Sequence, residues 1–579
     1  MKREYVWPAI KRICCVLILL CALAVTWHTA WVVSENLLDS DASSEMVLGE
    51  KLAREGGIMS ETWTYSTELR VISSQIIYSL VFRMCNDWSL VRFWSTVIMH
   101  LLLLADFAFL AKESRMTFNR FCIAAAVLLL PFSVPYGRIN LYHCYYIFHE
   151  MFAILIVALY LRACRLNDQE NRVRNGHFWV TLICLMLVSF LAGLGGVRVL
   201  MVCTVPLVAA ALLSAMTGED GRKKAGLNRL PECAGALLFS LISLTFSGAG
   251  YLVNINVLSN IYKFTSYAEM NLSLSDLEYL NDILGGFLDT LGFHDGVHLF
   301  TLHGILGVAS FLVCLITLLA GLHTVRHTRD RAARFLNVFM FVAQLTMFCV
   351  FMLMDTDGFE IELYFLPVTF WMIPALAKMD LRPDSGMVLP ETEKQETSGE
   401  TEEMPRLLRR DAGMSAHGLI SLVALLVMLV NGFYYADYFH DPDKYGSLIE
   451  YTGLVYRDTD TVTALTPVAE YLVENEYDMV YADFWAGAVV TELSDGKVKA
   501  VPVESGSRKH PIKYQEWLVD QKLYDVDTVA EMKVAILADF ELYSELEEMT
   551  DFDLEEKESF GGYTVFELKD SAALARDLE

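Results

Sequence analysis

Cysteine is unevenly placed in this sequence and lacking from its last 230 residues. The twelve cysteines lie mostly in or beside apolar runs, none is spaced as CxxC, and the last is Cys349. That spacing excludes a CxxC redox or zinc motif and leaves the long C-terminal stretch without a disulfide of its own. Positive charge is also in short supply: 45 Lys and Arg stand against 71 Asp and Glu, for a formal net charge of -26. Nucleic acid is bound mainly through Lys and Arg, so this balance argues against it as a partner. No internal repeat appears, as many transporters would carry, and the C-terminal stretch holds no Ser-His-Asp order or metal-ligand cluster.

What the chain has in abundance is long apolar runs. With 54% hydrophobic residues and a mean hydropathy of +0.38, its apolar residues come in blocks of about twenty. The pattern predicts a polytopic α-helical membrane protein. Eleven spans are expected near 11–33, 88–111, 118–135, 144–163, 178–197, 199–216, 233–254, 298–322, 335–354, 361–378 and 416–436. The first is preceded by Lys2, Arg3, Lys11 and Arg12. It runs on through Trp27, Trp31 and Val33, which favours an uncleaved anchor over a signal peptide. Alternate loops carry the basic residues, among them Lys112 and Arg115, Arg162 and Arg165, Lys223 and Lys224, and Arg326 and Arg329. The positive-inside rule then places the N-terminus in the cytoplasm and the C-terminal domain outside.

Residues 1–436 are thus expected to form the membrane domain, with outer loops at 34–87 and 255–297, each carrying an amphipathic surface helix. Residues 379–415, rich in Glu, Pro, Ser and Thr, read as a disordered cytoplasmic loop. Residues 437–579 read as an α/β domain. Its strands are expected at "MVYADFW", "AVVTELS", "KVKAVPV", "VAILADF" and "YTVFEL", and its helices near 461–475 and 513–524.

The first outer loop opens with "LLDSDASSEMVLGE", which places Asp39, Asp41, Glu45 and Glu50 just beyond the first span. A carboxylate there needs water, a partner or a cavity. A solvated helix start is one account. If the helix begins near Ser40 or Asp41, Asp41 and Glu45 share one face a turn apart, and one of them can take a proton while another positions a ligand. Arg138 in "PYGRINLYHCYY" and Arg198 in "GLGGVR" lie at outer span ends where the charge rule gives no reason for Arg. Both are candidate phosphate ligands, with Lys263 and Arg70 behind them, and headgroup contact is the plainer alternative. Trp63 and Tyr65 are candidates for stacking on a sugar ring, and Glu362, with Glu360, for holding hydroxyls or a divalent cation. No metal site is assigned, and His143, His294, His298 and His303 read as interfacial histidines.

These features together, "DSDASSEMVLGEKLAREGG", "WTYSTELR", "GLGGVR", "ELYFLPV" and "YADFWAGAVVTELSDGKV", in this order along an anchored, multi-span chain, resemble the GT-C superfamily of membrane glycosyltransferases. More narrowly they resemble bacterial relatives of dolichyl-phosphate-mannose-protein mannosyltransferases. The resemblance implies transfer of a sugar from a polyprenyl-phosphate carrier to a glycan, lipid or protein acceptor on the outer face of a bacterial plasma membrane. It implies Asp39 or Asp41 as general base, with Asp41 preferred, and requires no cofactor beyond an optional divalent cation. Glu45, Trp63, Tyr65 and Glu362 fall to the acceptor or sugar, and Arg198, Arg138 and Lys263 to the donor phosphate. The competing classes are a flippase or exporter of a lipid-linked glycan, for which Asp106 and Glu150 are relay candidates, and a membrane-anchored glycan-binding or assembly protein.

Overall fold

The computed structural model describes residues 2–66, 69–168, 176–217, 234–265, 279–294, 297–353, 361–379, 416–441, 454–507, 510–540, 542–543, 546 and 553–578. The expected disordered segment at 380–415, residues 266–278 and 295–296 of the second outer loop, with the serines Ser273 and Ser275 that could cap its helix, and Glu360 lie outside them.

Every expected span coincides with a helix. The long ones are α1 (Lys2–Asn36), α4 (Trp88–Glu113), α7 (Ile147–Asn167), α8 (Gly176–Gly193), α10 (Ala234–Asn256), α12 (Leu302–His327), α13 (Arg331–Leu353) and α16 (Ala416–His440). Two shorter helices, α14 (Ile361–Thr369) and α15 (Met372–Lys378), run on as one span. Among the described residues nine helices are long and apolar enough to cross a membrane. Their exposed side chains are largely Leu, Ile, Val and Phe, as a lipid-facing surface requires. Two of the eleven expected spans differ in form. The sixth, Leu200–Met216, begins in a π turn, continues as α9 (Val205–Thr217) and is short. The third, expected over 118–135, stops early. Helix α5 (Phe118–Leu129) ends before Pro131, and the chain bends by 88° into α6 (Val134–Gly137) and a π turn at Arg138–Tyr142. Pro131 offers no N–H to continue α5, while Ser133 caps the new start by accepting from Tyr136 N at 3.2 Å, with Pro135 in its first turn.

The first loop does form the expected helix, α2 (Ser40–Glu55), but not as a helix lying open on a membrane surface. Its Ser40, Ser43, Ser44 and Lys51 are buried together with Met46, Leu48 and Leu52: Ser40 and Lys51 bond to the C-terminal domain, Met46 packs into the bundle, and Leu48 and Leu52 pack against the rest of the first loop. A short α3 (Ser74–Phe82) packs against it. The two approach so closely that a Cβ on Gly49 would stand 2.4 Å from Tyr78 Cβ. In the second loop the described residues include a 3₁₀ turn at Leu258–Asn260 and α11 (Tyr279–Asp289).

The tail is an α/β domain, as expected. A six-stranded sheet has the order β4-β3-β2-β6-β8-β7, with β2 (Met479–Ala482) parallel to both β3 (Lys499–Ser507) and β6 (Val534–Ala538), and β4 (His510–Tyr514), β7 (Leu554–Phe560) and β8 (Tyr563–Leu568) joined antiparallel. Helix α17 (Leu454–Glu474) covers the expected 461–475. Two expectations fail here. "AVVTELS" is not a strand but the body of α18 (Phe484–Leu493). This helix is buried on the sheet side and on the α2 side, so its apolar residues show no single stripe and mimic a core strand. The stretch 513–524 is not an α-helix but the end of β4, the short β5 (Val519–Asp520) and a 3₁₀ turn. β5 pairs antiparallel with β1 (Trp63–Thr64) of the first loop, matching Trp63 with Asp520. Thus loop and tail share a sheet.

Candidate active site

The site grows from the start of α2. Asp39 is extended (φ -132°, ψ 168°), and its Oδ1 accepts from Ala42 N at 2.8 Å, an N-cap of ordinary geometry. Its Oδ2 accepts from His143 Nε2 and faces Arg138 Nη2 at 4.0 Å. Burial alone would push this carboxyl up, but the charges of His143 and Arg138 and the bonds from His143 and Ala42 outweigh it and hold Asp39 well below the usual carboxylate range. Such a carboxylate is a weak base. Asp39 thus caps α2 and contacts two basic groups.

Arg138 and His143 reach it because the chain after the Pro131 bend is irregular. The π turn carries Arg138, and His143 (φ -85°, ψ 53°) breaks it before a 3₁₀ turn at Cys144–Tyr146. Asn140 Nδ2 donates to Leu129 O at 2.5 Å and Asn140 O meets His100 Nε2 of α4 at 2.8 Å, which pins the turn to the bundle. Tyr142 and Tyr145 stack on the two sides of His143, with centroids 4.6 and 5.3 Å away. His143 is a site residue that reasoning from sequence passed over as interfacial. Its stretch had been singled out for Arg138 alone.

Asp41 stands in the first turn of α2, partly exposed, and its charge reaches Tyr145 together with that of Asp39. One turn on, Glu45 is committed: its Oε2 accepts from Ser74 Oγ at 3.0 Å and its Oε1 faces Arg70 Nη2 at 3.6 Å. The Arg70 guanidinium lies 4.7 Å over the ring of Tyr145. Burial opposes its charge, but Glu45 and the neighbouring tyrosines outweigh that and keep it above its ordinary value.

Arg198 comes from the other side. The "GLGG" turn uses Gly196 at φ +99°, a backbone conformation that suits glycine, and delivers a guanidinium held between the rings of Tyr146 (4.8 Å) and Tyr364 (4.2 Å). Asn254 of α10 ties this turn to the Arg70 segment by donating to Leu194 O at 2.6 Å and Leu69 O at 2.7 Å. Arg198 and Arg70 are near enough to oppose one another's charge. Two cations held together in this way make a seat for an anion. Glu362 stands in the first turn of α14, two positions before Tyr364.

Asp39, Asp41, Glu45, Arg138 and Arg198 are thus gathered at one end of the bundle. Three candidates are not. Lys263 forms an ion pair with Glu516 of the tail. Tyr65 is packed among Leu48, Leu52 and Leu69, its hydroxyl accepting from Ser60 N at 2.8 Å. Trp63 belongs to the same cluster and turns toward the tail through β1. Among the described residues no three His, Cys, Asp or Glu side chains converge to hold a metal ion. The roof over α2 is the tail itself, where Ser40 Oγ donates to Phe484 O and the Phe484 and Trp517 rings meet at 4.6 Å.

No protein-family model and no curated protein matches the sequence. Solved structures do match. ArnT from Cupriavidus metallidurans bound to undecaprenyl phosphate superposes with a TM-score of 0.53 over 96% of this chain and 98% of that one, at 12% identity. The apo state of the same protein gives 0.51 over the same shares, at 11% identity. The fold is similar to that of ArnT. An architecture of many spans followed by a sheet-containing tail is therefore as the sequence resemblance led one to expect. Within this fold, one end of the bundle gathers the partly exposed Asp41 with the arginines Arg70, Arg138 and Arg198.

Proposed function

We propose that the protein transfers a glycosyl group from a polyprenyl-phosphate sugar to a hydroxyl of a glycan, lipid or protein acceptor, on the extracytoplasmic face of the membrane. The observation that carries the reading is the convergence of the acidic first-loop helix with Arg138, Arg70 and Arg198 at one end of a GT-C fold. The solved ArnT with undecaprenyl phosphate supports a polyprenyl-phosphate donor, and the alternation of basic loops supports the outward sidedness.

Asp41 takes the proton of the acceptor hydroxyl as its oxygen bonds to the anomeric carbon. The bond from that carbon to the phosphate oxygen breaks, and the polyprenyl phosphate leaves with the electron pair. A single displacement inverts the anomeric centre. The leaving phosphate gains negative charge, which Arg198 and Arg70 meet, so no acid is needed to protonate it. Asp39, which caps α2 and is ion-paired, holds Arg138 and His143 in place rather than moving a proton. Glu45 fixes Arg70.

The test is transfer from radiolabelled polyprenyl-phosphate sugars by purified protein in lipid. Asp41→Asn is expected to lower the rate by about 10²–10⁴-fold with carrier-lipid binding retained, the usual loss of a general base. Turnover of Asp41→Asn at the wild-type rate would remove Asp41 from the mechanism. No turnover with any donor by the wild-type protein would return the flippase reading.

A further inference from the structure

Helix α2 has a second working face. At 100° per residue the side chains of Ser44, Lys51 and Val47 stand about 60°, 80° and 120° around the helix from Asp41, on the side away from Glu45. With Trp63, Phe484, Lys499, Pro502 and Asp520 they line a cavity of about 300 Å³ between the first loop and the tail.

Two buried polar groups border this cavity with nothing to bond. Ser44 and Trp63 are each only 1% exposed, and neither Ser44 Oγ nor Trp63 Nε1 has a hydrogen-bond partner among the described residues. A donor left unsatisfied away from water costs about 1–3 kcal/mol, so a bound partner is the economical account of both. The charges are equally uneven. Lys51, Arg54, Lys499 and Lys522 border the cavity against Glu55 and Asp520. Lys51 is saturated, 2.9 Å from Glu55 and 2.7 Å from Asp520, and Arg54 is 2.6 Å from Glu50. Lys499 makes no ion pair among the described residues. In a chain of net charge -26, this is a locally positive chamber. Its other wall is the apolar surface of Trp63, Phe484 and Pro502. A flat apolar wall, spare hydroxyl-bonding groups and a spare cation fit a sugar ring bearing one negative group.

We propose that this cavity binds an anionic sugar residue, a uronic acid or a sugar phosphate, with Ser44 Oγ and Trp63 Nε1 bonding its hydroxyls and Lys499 meeting its carboxylate or phosphate. It rests on the glycosyltransferase reading in one respect, that the sugar is part of the acceptor glycan. Because Ser44 lies three residues beyond Asp41 on the same helix, about 4.5 Å of rise, a sugar held here stands beside the base. The site then selects acceptors by a sugar other than the one that reacts.

The experiment is calorimetric titration of full-length protein in nanodiscs of zwitterionic lipid with methyl glucuronide, glucose 6-phosphate, methyl glucoside and inorganic phosphate. At least one charged sugar is expected to bind about tenfold or more tighter than methyl glucoside, and which one does so separates the carboxylate source from the phosphate source. Lys499→Gln should abolish that preference, while Ser44→Ala and Trp63→Phe should weaken charged and neutral sugars alike. Binding of undecaprenyl phosphate by each variant reports that it is folded. No binding of either charged sugar, the same preference in Lys499→Gln, or inorganic phosphate binding as tightly as glucose 6-phosphate without any uptake of glucuronide would overturn the proposal. Sugar binding without transfer from any donor would leave the cavity standing and remove the transferase reading; transfer without sugar binding would do the reverse.

Discussion

Arg92 and Glu492 face one another as a buried two-point ion pair across 400 residues of sequence: Nε lies 2.9 Å from Oε1 and Nη2 lies 2.5 Å from Oε2, with both side chains at most 4% exposed. Arg92 belongs to the first turns of α4, Glu492 to the end of α18. Beside them Trp88 N donates to Asp495 Oδ1 at 3.3 Å. This pair and the Ser40–Phe484 bond fix the tail on the bundle, so α2 lies under a roof held at both ends. Breaking a buried pair leaves the other charge without a counterion, whereas replacing both partners with apolar groups is close to neutral. Arg92→Met is therefore expected to destabilise the protein by about 3–5 kcal/mol, and Arg92→Met with Glu492→Met to recover most of it. Chemical unfolding followed by limited proteolysis of the tail measures both, and equal loss in the single and double variants would contradict the argument.

Asp483 gives a prediction in pH. It caps α18, accepting from Trp485 N at 2.7 Å and Ala486 N at 3.2 Å. Burial and the Asp539 carboxylate raise its pKa to about 6. The folded state then keeps a proton that the unfolded chain has already lost, so stability falls as pH rises from about 4 to about 6 and is flat above. Asn caps a helix as well as Asp and has no proton to lose. Asp483→Asn is expected to stabilise the tail at pH 7 by up to about 3 kcal/mol and to give no gain at pH 4. Unfolding midpoints across that range decide it.

Asp39 has the opposite sign. Its carboxyl is held down by His143 and Arg138 against the pull of burial, so its contribution is complete above about pH 4 and is lost as pH falls from there toward the folded value. Asp39→Asn keeps the cap and removes the charge. The expected loss is about 3 kcal/mol at pH 7, narrowing as the pH drops below 4. A constant difference at all pH values would mean that the loss comes from packing.

Much of this architecture is legible in the sequence, for identifiable reasons. Apolar blocks of twenty residues have few alternatives to spanning a membrane, and Asp39 before Ser40 and Asp41 marks a helix start from chain-local chemistry alone. The bend at Pro131 was written in the sequence too, but the apolar window ran across it. The contacts that build the site are not local. Asp39 meets His143 across 104 residues, and Glu45 meets Ser74 across 29. Arg92 sits inside an apolar run with no sign of its partner. α18 failed as a helix because both its faces are covered, which erases the periodicity that would have revealed it.

Helices α8 and α10 touch through glycine. A Cβ on Gly193 would stand 2.0 Å from Ser247 O, and one on Gly250 2.1 Å from Phe190 O. Small residues allow this approach between membrane helices, and neither backbone carbonyl can move aside cheaply. Gly193→Ala is expected to destabilise by about 1–3 kcal/mol. Because Asn254 joins α10 to both Leu194 and Leu69, the displacement should reach Arg198 and Arg70. Donor affinity should then fall in Gly193→Ala, although the residue touches no ligand. A loss of stability with donor affinity unchanged would show that the turn is held independently of α10.

Arg198 separates holding the donor from stabilising its departure. Its guanidinium carbon stands over the rings of Tyr146 and Tyr364, at 4.8 and 4.2 Å, and a lysine ammonium, a point charge without the planar fork, does not replace it there. In the bound donor the phosphate is a diester; as the sugar leaves, it gains a second charge. An arginine that meets this second charge acts more strongly in the transition state than in the ground state. Arg198→Lys is accordingly expected to lower kcat by about 10²-fold while raising KM less than about tenfold. Steady-state kinetics with a polyprenyl-phosphate sugar reads the two apart. A rise in KM with kcat intact would make Arg198 a holder of the carrier phosphate only, and would shift the stabilising of the leaving group to Arg138 and Arg70.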